Sequence, residues 1–116
     1  MSEDFDRLMR ALRLTDTTYC EELRPIAIEK TIEKGQKLGD ADKHNVMFLM
    51  SGLMRGYIID KKGEEITDCF IRRYAEACTM DLSVVDCKAE MSIQVEALED
   101  TRLICFETCE VIPMLS

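Results

Sequence analysis

The run from Val46 to Phe70, VMFLMSGLMRGYIIDKKGEEITDCF, constrains the chain more than any other stretch, because it spells out successive β-strands together with their turns. Val46 to Met50 is a short, unbroken apolar run, the pattern of a strand buried on both faces. Ser51-Gly52 interrupts it, and Leu53 to Asp60 follows with mixed alternation. Asp60-Lys61-Lys62-Gly63-Glu64 then reads as a hairpin with a three-residue loop, Gly63 standing where φ must be positive. With Asp60 opposite Glu64, Ile58 is expected to face Ile66, and Met54 to face Phe70, on one side of the ribbon. Arg55, Tyr57, Thr67 and Cys69 then fall on the other side, because side chains alternate across a strand. One face of the ribbon is a core. The other carries an arginine, a tyrosine and polar groups.

The flanking sequence extends this pattern. Asp4 to Arg13 places Phe5, Leu8, Met9 and Leu12 at helical spacing, which predicts an amphipathic helix. Thr15 or Asp16 can cap a second short helix running through Leu23, and Pro25 ends it by disfavouring α geometry at Arg24. Ile26, Ile28 and Ile32 predict a strand that stops at the Lys34-Gly35 turn, and Gly39 to Asp42 forms another turn. Ile71 to Met91 has no clean period of two; Thr79 could cap a helical turn through Val85. Ser92 to Ala97 resumes strand character, and Glu99-Asp100 is a turn. Thr101 to Phe106 is a strand with Leu103 and Cys105 on one side and Arg102 and Ile104 on the other. Two short helices followed by many short strands predict a small roll or sandwich. Pro113 in the apolar stretch 111–115 fits the first turn of a helix, and that apolar end suggests a further segment downstream.

Composition narrows the function. At 116 residues, 47% hydrophobic and 33% charged, the chain is expected to form one domain with its own core. A formal charge of −8 argues against nucleic-acid binding, which rests on neutralising phosphates, and against anionic membrane surfaces. The N-terminal MSEDFDRLMRAL lacks the apolar run of a signal peptide or membrane span, which implies a cytoplasmic protein. The six cysteines, Cys20, Cys69, Cys78, Cys87, Cys105 and Cys109, are then expected as free thiols packed in the core. No C-x₂-C unit occurs, so neither zinc nor iron–sulfur spacing is present and no metal is expected. His44 is the single histidine, which rules out the multi-histidine metal set of a cupin enzyme and leaves no evident nucleophile–base pair. No enzyme is expected. Met47, Met50, Met54, Met80 and Met91 read as core filler, and Glu64-Glu65 as a solvated turn.

SGLMRGYIID-KKGEEIT resembles the central hairpin of the Crp/Fnr family of bacterial transcription regulators. That family's pattern is an apolar strand, Ser-Gly, an apolar-basic strand, a Gly turn, then Glu-Ile/Val-Thr and an aromatic residue. Lys34-Gly35-Gln36 before Leu38, the VEALEDT run from Val95 to Thr101, and the stretch 107–115 stand at matching spacing. The resemblance implies a mainly β fold, a double-stranded β-helix or jelly roll of the cyclic-nucleotide-binding type. Residues 1–24 would be its N-terminal helices, 26–106 the β-roll, and 107–116 the start of a C-terminal helix. It implies the effector-sensing domain of a regulator that dimerises through a long helix and binds DNA through a helix-turn-helix, neither of which is in this chain. A stand-alone β-roll module for protein interaction or small-molecule binding is the alternative.

In the family the cyclic nucleotide sits on a Gly-Glu helix N-terminus with an arginine to neutralise its phosphate. Here Cys78 and Thr79 stand at the Gly-Glu position and Met91 at that of the arginine, while Arg72 and Arg73 lie at the wrong end of the loop. Cyclic-nucleotide binding is therefore not expected. The resemblance instead assigns a pocket to Tyr74, Cys78, Thr79, Met80, Met91 and Ser92. That composition suits a neutral or aromatic small-molecule effector, with a loop packed shut as the alternative. Effector binding would reposition the loop from Cys78 to Met91 against the dimer helix.

Overall fold

The computed structural model describes residues 2–14, 16–39, 42, 44–80 and 93–110. Helix α1 spans Ser2–Ala11 and α2 spans Thr17–Leu23. Asp16 caps α2, its carboxylate accepting from the Thr18 N–H at 2.8 Å and so satisfying one of the donors a helix start leaves unpaired. Pro25 sits in a 3₁₀ turn, Arg24–Ile26, directly after α2. Ile26 therefore belongs to this turn, and the first strand, β1, begins two residues later and covers Ile28–Ile32.

The remaining strands are β2 (Asn45–Ser51), β3 (Met54–Ile59), β4 (Glu65–Ile71), β5 (Ala77–Thr79), β6 (Gln94–Ala97) and β7 (Thr101–Glu107). They form two antiparallel sheets, one ordered β1-β7-β2-β5 and the other β4-β3-β6. Chain-adjacent strands repeatedly fall in opposite sheets, as in a jelly roll. Between the sheets lies an interior cluster that includes Ile32, Met47, Leu49, Met54, Val95 and Leu103. The outer face of the four-stranded sheet packs on the helices through Phe5, Leu8, Met9, Met50, Ile104 and Phe106. Strand β7 serves both clusters. Its alternation sends Leu103 and Cys105 inward and Ile104 and Phe106 to the helices, and burying a side chain of this size contributes about 1.5–3 kcal/mol.

The β3–β4 hairpin has the expected loop. The Asp60 N–H donates to the Glu64 carbonyl at 2.9 Å, and Gly63 takes φ +84°. Ile58 pairs with Ile66 as expected, but Met54 lies opposite Ile71 and not Phe70. The cause is a β-bulge: Tyr57 pairs with Thr67 and Gly56 with Cys69, leaving Asp68 without an opposite residue. Beyond the bulge every β4 side chain changes face. Cys69 moves to the side of Gly56, where a Cβ on that glycine would meet its sulfur at 2.8 Å. Phe70 moves outward and is 52% exposed.

Gly52, at the turn joining the two sheets, has φ +107°, and a Cβ there would lie 2.7 Å from the Asp100 carbonyl oxygen. Only glycine fits this close approach. After β7, residues 108–110 are helical; the rest of the expected C-terminal helix, 111–116, lies outside the described residues.

Candidate functional site

Of the four described residues assigned to the pocket, Cys78, Thr79 and Met80 lie together at the roll interior and Tyr74 does not. Cys78, on β5 opposite Met47, and Met80 pack on the interior cluster, and Thr79 ends β5 opposite Val46. A helical turn capped by Thr79 would lie at 81–85, outside the described residues, as do Met91 and Ser92. Tyr74 is on the opposite side of the four-stranded sheet, in the helix-side cluster, with the Arg7 guanidinium 4.3 Å above its ring.

The separation arises in the turn before β5. Ala75 adopts φ +66°, and its N–H donates to the Leu49 carbonyl at 2.7 Å. The Glu76 carboxylate accepts from the backbone N–H groups of Arg72 and Arg73, both at 3.0 Å. These bonds hold the Glu76 carboxyl below the usual range, the Arg73 N–H contributing most. The chain thus reverses between Tyr74 and Cys78 and carries them to different faces.

A cavity of about 180 Å³ opens at the edge of the roll interior, lined by Gly56, Cys69, Ile71, Glu76, Ala77, Cys78, Thr79 and Ile93. The Ile93 N–H donates to the Met80 carbonyl at 3.1 Å, so the segment 81–92 leaves and rejoins the described chain beside this cavity. Burial, reinforced by Cys69 and Glu76, pushes the Cys78 thiol up to about 12. Burial and then Asp68 push Cys69 up as well. Both thiols are therefore protonated at neutral pH and behave as soft, neutral wall groups rather than nucleophiles. The one ionised side chain on the wall is Glu76, and no arginine or lysine among the described residues lines it.

Sequence reasoning missed Gly56, Cys69, Ile71, Glu76 and Ile93. Cys69 was assigned to the wrong face because an unbulged register puts it beside Arg55. The thiols are also less uniformly internal than expected, since Cys69 and Cys109 are exposed while Cys105 is buried. Met47, Met50, Met54 and Met80 are core residues as expected.

On the outer face of the three-stranded sheet, Arg55 donates to Glu96 at 2.8 Å, Glu65 at 2.6 Å and Thr67 at 3.1 Å. Its guanidinium also covers the Tyr57 ring at 4.3 Å, and Lys37 reaches the same ring and Glu65. Tyr57 is thereby buried on an otherwise polar face. Glu65 is thus a bridging residue and not merely a solvated turn. This network has the form of structural bracing, since each charge in it already has a partner.

The two-sheet roll with N-terminal helices has the fold of cyclic-nucleotide-binding-type sensor domains. A protein from Eubacterium rectale assigned to the Crp/Fnr family of transcriptional regulators superposes with a TM-score of 0.78 at 20% identity, over 94% of this chain and 51% of its own. The sensor domain of the transcriptional regulator DNR from Pseudomonas aeruginosa gives 0.78 at 15% identity, covering 94% and 75%. The regulatory domain of Toxoplasma gondii PKA, solved with cAMP, gives 0.76 at 19% identity, covering 96% and 43%. The chain spans about half the length of the Eubacterium rectale protein. No family model and no curated protein sequence matches it. Among the described residues no helix is long and apolar enough to cross a membrane.

Proposed function

We propose that the chain is the effector-sensing domain of a cytoplasmic transcription regulator of the Crp/Fnr type, and that its effector is a small neutral molecule rather than a cyclic nucleotide. The chemistry of the roll cavity carries this reading: apolar walls, two protonated thiols, and an ionised Glu76 as the charged wall group. A cyclic phosphate brought there would meet a like charge and no guanidinium among the described residues, whereas phosphate recognition calls for charge-assisted donors. The sequence of 81–92, DLSVVDCKAEMS, offers Lys88 against Asp81, Asp86 and Glu90 and contains no arginine. Function is set by the site and not by the fold, so the likeness to a cAMP-bound domain does not carry the ligand with it.

The mechanism is a population shift. A ligand in the cavity touches Cys78, Thr79 and Ile93, and so favours one placement of these walls over another. Coupling of that placement to a following dimerisation helix, and through it to DNA-binding domains outside this chain, would transmit occupancy as a change in DNA affinity. The domain is a binding unit of a homodimer and not an enzyme.

Thermal unfolding with cAMP, cGMP and a panel of small neutral and aromatic compounds tests this. A ligand at a hundred times its dissociation constant adds about 2.7 kcal/mol, which for a domain of this size raises Tm by roughly 10 °C. A neutral compound should give that shift and the nucleotides none. A nucleotide shift of that size would sink the reading.

A further inference from the structure

A second concavity adjoins the roll cavity, with Glu76 common to both walls. It is an open groove of about 580 Å³ between the end of α1 and the Arg72–Glu76 turn, within the size range of small-molecule sites. Its walls combine an apolar surface with two arginines and one glutamate, a net positive charge. Phe70, turned outward by the bulge, forms one wall, and Ala11, Leu12 and Ala75 continue it. Arg72 and Arg73 are exposed on the rim, and neither forms a salt bridge with a described residue. Two guanidinium groups without a salt bridge, adjacent in the chain and lining one groove, are a local positive feature on a chain of net charge −8. Glu76 lines the same groove, and its carboxylate interacts with both arginines and offsets one of the two positive charges, so the groove keeps a net positive charge.

We infer that this groove is a second binding site, separate from the roll cavity, which takes small aromatic carboxylates. The aromatic body lies against Phe70 and the Leu12 side, and the carboxylate is held by Arg72 and Arg73, whose planar forks match its two oxygens. Glu76 disfavours more highly charged anions such as a phosphate dianion. This assignment does not depend on the identity of the effector in the roll cavity.

The test is a ¹H–¹⁵N correlation spectrum of the labelled chain titrated with benzoate, benzyl alcohol and acetate. Benzoate should give saturable shifts at the amides of residues 70–76 and of Ala11 and Leu12, and raised salt should weaken it. Benzyl alcohol, which lacks the charge, and acetate, which lacks the ring, should each bind about tenfold more weakly. R72A/R73A should weaken benzoate about tenfold, with the Tm of the variant confirming that it folds. Non-saturating shifts, or equal binding of benzoate and benzyl alcohol, would overturn the assignment. So would shifts centred on Cys78 and Ile93, which would place the compound in the roll cavity and leave the sensing reading standing.

Discussion

The two sheets of the roll are built on different terms. The four-stranded sheet is covered on both faces along its central strands β2 and β7, by the interior cluster on one side and the helices on the other; β7 is almost fully buried, while the edge strand β1 is largely exposed. The three-stranded sheet is buried on one face only. Six of the seven residues of its edge strand β4 are exposed, and its outer face is braced by the Arg55–Glu65–Glu96 network instead of by apolar cover. The first sheet is therefore the stable frame, and the second can vary without unfolding the domain. Both concavities draw on that difference: the cavity takes Cys69 from β4, and the groove takes Phe70 from the same strand.

Truncation breaks or sharpens this contrast most strongly. Ile104→Ala, in the twice-buried β7, should cost about 2–5 kcal/mol in urea denaturation. Phe70→Ala, in β4, should stay within about 0.5 kcal/mol. Equal costs would mean that the sheets share the load. Gly52→Ala comes next, because it forces a side chain onto φ +107° against the Asp100 carbonyl where the two sheets are joined. It should lose more than about 1 kcal/mol by the same measurement.

The smallest effect is electrostatic and belongs to the exposed side. The Glu65 carboxyl is held low by Arg55 and then Lys37, and Glu76 by the Arg73 and Arg72 N–H groups. A carboxyl whose folded-state pKa is depressed contributes stability above its unfolded value, near 4.3, and loses it as pH falls through the folded value. Stability should therefore decline from about pH 4.5 downward, and Glu65→Gln with Glu76→Gln should flatten that decline. An unchanged pH profile in the double variant would show that these pairs do not couple to folding.

Much of this was legible in the residues. The Asp60–Glu64 loop and the two-sided alternation of β7 follow from turn chemistry and a period of two. What could not be read was the bulge at Asp68, because no residue there demands it, and one unpaired position exchanged Cys69 for Phe70 on the two faces. Tyr74 parts from Cys78 for a similar reason. Tyr74 and Cys78 are near in sequence, but Ala75 takes a left-handed conformation that an alanine does not announce, and the turn parts them. Glu76 was passed over because its importance lies in two backbone N–H groups that only the folded turn brings to it.

We propose that the roll cavity, for all its likeness to cAMP-binding folds, excludes a cyclic phosphate. Calorimetric titration of the chain with cAMP at low salt, where electrostatic attraction is strongest, decides this. No saturable heat is expected up to about millimolar nucleotide, because the phosphate finds no charge-assisted donor among the described wall residues. Saturable binding in the micromolar range would contradict it and would mean that a cationic side chain reaches the cavity after all.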